Sequence, residues 1–154
     1  MIDLKGNPFY LKDEQIAWVN RTLENLTLDE KVGQLFCPIG MSTDEKALFD
    51  LAANKKVGGL LFRPGKGEEV QQAHRYLQQQ AKVPMLIAAN LEAGGTGSAI
   101  DGTRIGNPML LAAGQDAEFG HHLGDVCAKE GSALGVNWAF APVLDIAYNF
   151  HNPT

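Results

Sequence analysis

Two short segments of this 154-residue chain, Leu60-Leu61-Phe62 and Met85-Leu86-Ile87-Ala88-Ala89, are apolar at every successive position. A strand with one wet face alternates apolar and polar residues. A strand that is apolar on both faces belongs to a parallel sheet covered by helices. Between the segments, Val70, Ala73, Leu77 and Ala81 recur three and four residues apart, the period of an amphipathic helix. Parallel strands joined through helices require βαβ crossovers, which are almost always right-handed. The chain is therefore predicted to be α/β.

The rest of the sequence extends that alternation. Asp13 is placed to cap a first helix whose apolar face is Ile16, Val19 and Leu23. Thr27-Leu28-Asp29-Glu30 has the form of a capping box, and Gln34-Leu35-Phe36-Cys37 follows as the first strand. Ser42-Thr43-Asp44-Glu45 reads as a second capping box, opening a helix that buries Ala47, Leu48, Leu51 and Ala52. Residues 57–62 form the second strand. The next helix follows Gly67, with Glu68 and Glu69 complementing its dipole. Residues 84–89 form the third strand, and a glycine-rich connection runs from Asn90 to about Gln115. Asp116 caps a last helix carrying Phe119, Leu123, Val126, Cys127 and Leu134, which Gly135 ends. Residues 137–141 form the fourth strand.

Two α/β architectures fit this order, an open doubly wound sheet or part of a closed barrel. No G-x-G-x-x-G opens a helix after a strand and no P-loop occurs. The glycines at Gly94, Gly95 and Gly97 lead into Ser98-Ala99-Ile100, with no lysine placed for a phosphate. That weakens the nucleotide-binding sheet, but periodicity alone does not choose the barrel.

A formal net charge of −5 argues against a nucleic-acid surface, which needs clustered Lys and Arg. Cys37 and Cys127 make no disulfide framework and sit among apolar neighbours, so both are expected to be small buried hydrophobes. Neither has a second Cys or a His at metal-ligand spacing. The N-terminus lacks a basic-then-apolar leader, and no stretch approaches the roughly 18–20 apolar residues of a membrane span. A cytoplasmic protein is expected, or a secreted one if a leader has been removed.

In α/β barrels, function gathers on loops at the carboxyl ends of the strands. Those ends carry Arg63 after the second strand, Asn90 and Glu92 after the third, and Asp145 and Asn149 after the fourth, with His151 nearby. Carboxylates and amides there suit the neighbouring hydroxyls of a sugar, and charge-assisted bonds strengthen the grip. Each residue also has a purely structural reading. Asp145 can cap a turn, Glu92 can hold the glycine amides that follow it, and Arg63 can be a surface charge. His121 and His122 are adjacent on a helix, point about 100° apart and cannot share a metal. His74, beside the apolar stripe, is expected to pack with its polar atoms satisfied. Trp138 and Phe140 are expected in the core, although an aromatic at a barrel mouth can stack on a sugar ring. No serine nucleophile elbow or Cys–His arrangement is present.

Four segments, in order, resemble family-3 glycoside hydrolases. Residues 26–36 are similar to the family's "LTLEEKIGQLF" opening, residues 57–62 to its "VGGIILF" strand, and residues 84–95 to its "PLLIAxDxEGG" segment. Residues 135–146 are similar to "GINWNFAPVLDI", which points to the β-N-acetylhexosaminidase branch. The match runs from about Leu26 to the last residue. The resemblance implies a (β/α)₈ barrel and a retaining mechanism with an Asp nucleophile. It also implies a His proton donor in a "KHFPGHG"-like region. Both catalytic elements are expected beyond Thr154, so no catalytic residue is assigned within the chain. An Arg that follows the family's "NP…NP" segment, similar to residues 149–153, is expected there too. The sequence departs from the pattern at Asn90, where the family has a sugar-binding Asp, and at the additional Ala93 before the glycine pair. The Arg often found just after that pair is absent, and Arg104 stands too far along to be taken as its equivalent.

A complete barrel takes about 250 residues and eight strands. The expectation is a partial barrel: an N-terminal helical segment over residues 1–25 and the first four strand–helix units over 26–154. Cutting a closed sheet creates two edges, so truncation is expected, with either self-association or pairing with the missing half. The expected partner is a carbohydrate, with no nucleic acid, membrane, metal or cofactor. The parent protein is expected to release terminal β-linked N-acetylhexosamine, and this chain alone to turn nothing over, since such hydrolysis uses two catalytic groups. The alternatives are β-glucosidase-type specificity, a non-catalytic sugar-binding or interaction domain, and an unrelated α/β-barrel enzyme.

Overall fold

A computed structural model describes residues 2–146, 148, 149 and 151. It contains one four-stranded parallel sheet in sequence order. The strands are β1 (Ile39–Gly40), β2 (Gly59–Phe62), β3 (Leu86–Ala89) and β4 (Trp138–Ala139). Ahead of the sheet stand helices α1 (Asp13–Glu24) and α2 (Leu28–Gly33). α3 (Glu45–Phe49) passes into a π-helical turn, Asp50–Asn54, and connects β1 to β2. α4 (Gly67–Gln80) connects β2 to β3. A 3₁₀ turn (Gly95–Gly97), α5 (Pro108–Ala113) and α6 (Glu118–Ala133) lie between β3 and β4. This is the parallel strand-and-crossover order of the first half of a (β/α)₈ barrel.

The register separates the two faces of the sheet. Leu60 pairs with Ile87 and Gly40 with Phe62. On this face Leu60, Phe62 and Ile87 join Leu48, Ala52, Val70, Ala73 and Leu77 in one buried cluster, so it faces the helices. On the other face, Ile39, Leu61, Ala88 and Trp138 form a register-matched row, because side chains alternate along a strand. Among the described residues, that face is partly open. Ile39 is 52%, Leu86 49% and Trp138 40% exposed, and Trp138 meets Phe140 edge to face with ring centroids 4.7 Å apart. The core expected at Trp138 is thus replaced by a half-exposed inner wall.

Local chemistry explains where the elements begin and end. Thr27 and Glu30 form the expected capping box, with the Thr27 amide donating to Glu30 Oε2 at 2.8 Å and the Glu30 amide to Thr27 Oγ1 at 3.3 Å. Glu30 also takes Lys82 Nζ at 3.0 Å and Lys56 Nζ at 3.3 Å. The Thr27 amide, then Lys82 and Lys56, hold its carboxyl down at about 2. The cap of α2 is therefore also a tie to the chain just before β3. Gly58 lies beneath this region because a Cβ there would overlap the carbonyl oxygen of Gln34.

Several expectations are corrected. The first strand is not residues 34–37. The Gln34, Leu35 and Phe36 amides bond back to Glu30, Val32 and Gly33 as the end of α2, and Cys37 is exposed rather than buried. Pairing with β2 still begins early, through Gly59 N–H to the Phe36 carbonyl. The second capping box does not form. Asp44 caps α3 by accepting from the Ala47 amide, and Ser42 Oγ accepts from Asp44. With Asp44 as the N-cap, Glu45 is the first helical residue rather than the third, two positions too early to reach back, and Ala47 faces solvent. Lys12, not Asp13, stands at the N-cap of α1, its amide bonded to Gln15 Oε1. No residue of α1 is buried, because an apolar stripe marks a face without supplying anything to cover it. In α6, Leu123 and Cys127 are buried but Phe119 is exposed. Gly135 ends this helix region with φ +86°, as its C-cap role requires.

Candidate functional site

Parallel pairing sends the carboxyl ends of all four strands to one edge of the sheet. Arg63 leaves β2 there, its amide extending the ladder to the Gly40 carbonyl at 2.9 Å and its side chain exposed. Asn90 leaves β3 and is half-buried. Its Oδ1 is fully buried and has no hydrogen-bond partner among the described residues. Glu92 is half-buried, and among the described residues its carboxylate neither caps the following glycines nor pairs with a cation. Asp145 follows β4 in a stretch without regular secondary structure and is exposed. Asn149 accepts from the His151 amide at 3.0 Å, and both residues are exposed. Phe150 and residues 152–154 of the "NP…NP"-like segment lie outside the described residues. β3 and β4 are neighbours, so Asn90, Glu92 and Asp145 issue from adjacent strand ends, whereas Arg63 issues from the strand on the other side of β3.

The connection after β3 is more ordered than its glycine content suggests. Gly94, at φ +120°, forms an antiparallel bridge with Arg104. Ala93 O accepts from the Ile105 amide at 2.9 Å and the Gly106 amide at 3.1 Å. The two arms of the loop are therefore stitched together, and the Arg104 backbone lies beside the glycine pair despite its distance in sequence. Gly97 packs against the carbonyl of Asn90 so closely that a Cβ would overlap it. Asp101 reaches back to accept from the Gly67 amide at 2.8 Å, supplying the N-terminal cap that α4 lacks locally. Asn107 caps α5 through the Leu110 amide at 3.0 Å with Pro108 at the first helical position. That helix was missed within the glycine-rich run, although Asn followed by Pro is a start signal.

The histidines divide as their positions require. His74 is buried against Phe62, its ring edge-on at 5.0 Å. Its Nδ1 shares a 2.8 Å bond with the Leu134 carbonyl, and burial pushes its pKa down. It is only half satisfied, since Nε2 has no partner among the described residues. His121 and His122 are exposed on α6, with His122 3.3 Å from Glu118 one turn away. No helix among the described residues is long and apolar enough to cross a membrane.

With this geometry in view, the comparisons with known proteins are specific. Residues 27–154 match the model of the glycosyl hydrolase family 3 N-terminal domain. The chain is 42% identical over 153 residues to a β-N-acetylglucosaminidase/β-glucosidase of Cellulomonas fimi, covering 99% of this chain and 27% of that protein. It is 24% identical over 150 residues to a periplasmic β-glucosidase of Salmonella typhimurium, covering 94% of this chain and 18% of the relative. A solved β-glucoside phosphorylase BglX bound to 2FGlc superposes with TM-score 0.89 at 43% identity, over 97% of this chain and 27% of the other. A second β-glucoside phosphorylase BglX structure gives TM-score 0.84 at 42% identity, over 97% and 26%. The chain thus spans about a quarter or less of the length of these relatives. With that match, its strand order and its four ordered motifs, the chain belongs to glycosyl hydrolase family 3, and its fold is the first half of that family's barrel-like N-terminal domain.

Proposed function

We propose that this chain supplies one side of the sugar-binding mouth of an enzyme that cleaves terminal β-linked N-acetylhexosamine by a retaining mechanism. The observation that carries the reading is Asn90 Oδ1, a buried acceptor without a donor at the carboxyl end of β3. A buried polar atom left unpaired is costly, and a sugar hydroxyl supplies the missing O–H. Glu92 and Asp145, carboxylates at adjacent strand ends with no partner among the described residues, serve as further hydroxyl acceptors, with Arg63 and His151 at the periphery. The nucleophile and the proton donor are assigned to other parts of the enzyme, one attacking the anomeric carbon and the other protonating the leaving oxygen. The 154-residue chain alone is expected to leave nitrophenyl N-acetyl-β-glucosaminide intact.

Binding tests the reading directly. Titration with N-acetylglucosamine, followed by NMR shifts, should perturb the region around Asn90. Asn90→Ala should weaken binding about 3- to 10-fold, the worth of a neutral hydrogen bond. Unchanged affinity in that variant, or no binding by the unaltered chain, refutes the proposal. A second reading, β-glucoside specificity, is favoured by the names of the relatives, which include a β-glucosidase and β-glucoside phosphorylases. Glucose binding tighter than N-acetylglucosamine would select it. In an enzyme with the complete barrel, sugar 1-phosphate formed in phosphate buffer would identify phosphate rather than water as the acceptor.

A further inference from the structure

We propose that Glu130 is a positioning residue for the loop that carries the sugar-binding groups, an inference that rests on the carbohydrate reading above. Glu130 stands in the last turn of α6. Its Oε2 accepts from the Thr103 amide at 2.8 Å, on the returning arm of the loop. On the outgoing arm, the carboxylate presses on Gly95, where a Cβ would overlap Oε2. Gly102 closes the slot, a Cβ there lying 3.0 Å from the same oxygen and 2.6 Å from the Gly95 carbonyl carbon.

The carboxylate is therefore inserted between two glycines and hydrogen-bonded to the residue after the second. Both arms are set against α6 by one side chain. Cys127, one turn earlier on α6, adds a contact from Sγ to the Leu91 carbonyl at 3.1 Å. Asn90 and Glu92 flank that anchored carbonyl. α6 thus holds the loop on both sides of Glu92. The glycine at 95 follows from the bulk of the Glu130 head group, and the glycine at 102 from the close approach of the Gly95 backbone, with the Glu130 oxygen beside it. A shift of an ångström in a binding group placed this way weakens a polar contact steeply.

Amide hydrogen exchange and sugar titration on the full 154-residue chain test the clamp. Glu130→Ala should speed exchange at Thr103 about 10- to 100-fold, the loss of a bond to a charged acceptor, while β2 and β3 amides keep their protection. Gly95→Ala should do the same by expelling the carboxylate. The two changes should not add. In the Glu130→Ala background the overlapping oxygen is gone and Glu130 Cβ, 3.1 Å away, is the nearest remaining atom of that side chain. Gly95→Ala should then cost little further protection, a coupling that double-mutant cycles measure. Glu130→Gln, which keeps the acceptor oxygen, should restore most of it. N-acetylglucosamine affinity should fall about tenfold in Glu130→Ala and recover in Glu130→Gln. Unchanged Thr103 exchange, or additive variants, overturns the clamp. Lost protection with undiminished sugar affinity reduces Glu130 to a structural residue and overturns its positioning role. No sugar binding by the unaltered chain defeats the carbohydrate reading, and the exchange cycle still decides the clamp.

Discussion

Truncating two leucines separates a position that this chain packs from one that it leaves exposed. Leu77 on α4 is 0% exposed and lies in the cluster between α4 and the sheet. Leu35, after α2, is 84% exposed. For Leu77→Ala, loss of the buried methyl groups removes roughly 1.5–3 kcal/mol of transfer free energy, and the cavity adds to that. The total should be about 3–5 kcal/mol. For a chain of this length, each kcal/mol lowers Tm by about 2–4 °C, so a fall of about 6–20 °C is expected in a thermal melt followed by circular dichroism. Leu35→Ala loses almost no buried contact, and its cost should stay within about 0.5 kcal/mol. If Leu35→Ala costs as much as Leu77→Ala, the exposed leucine is covered in solution by another copy of the chain. A Tm that rises with protein concentration would then accompany it. If neither substitution matters, the packing between α4 and the sheet is refuted.

Two further outcomes follow from the same structure. Glu30 titrates near 2 in the folded protein, below the roughly 4.3 of an unfolded glutamate. Its stabilisation is therefore fully present above the unfolded value and is lost as pH falls through about 2. Melting temperatures between pH 6 and 2 should show an acid slope that Glu30→Gln reduces, and an identical slope in that variant would count against the network. Gly58→Ala should leave little folded protein in a native-state assay, because its Cβ meets the Gln34 carbonyl, which is backbone and cannot swing aside. A variant that melts like the parent would show that the α2–β2 approach is looser than described.

Periodicity read well wherever the chain itself supplies a packed face for the element. β2, β3 and α4 sit within a few residues of their predicted places, because their apolar residues meet partners that the chain also supplies. The errors fall where local signals compete. Residues 34–36 looked like a strand but their amides were already committed to the end of α2. Ser42 and Asp44 both suit a helix cap, and the helix begins two residues later than the box required. The strand-end positions of Asn90, Glu92, Asp145 and Arg63 were legible, since in a parallel sheet they follow from order alone. The slot around Glu130 was not. It depends on glycines from two loop arms closing on a distant helix, and nothing in the spacing of Gly95, Gly102 and Glu130 announces that meeting.

The bond between Asp101 and the first amide of α4 makes the β3–α6 connection answerable to a helix that comes before it. Exchanging this loop for another in order to alter substrate preference would also strip α4 of its anion. A graft that preserves the fold must bring an acidic or amide side chain to the same point, so here the freedom to vary recognition is limited by the stability of a neighbouring βα unit.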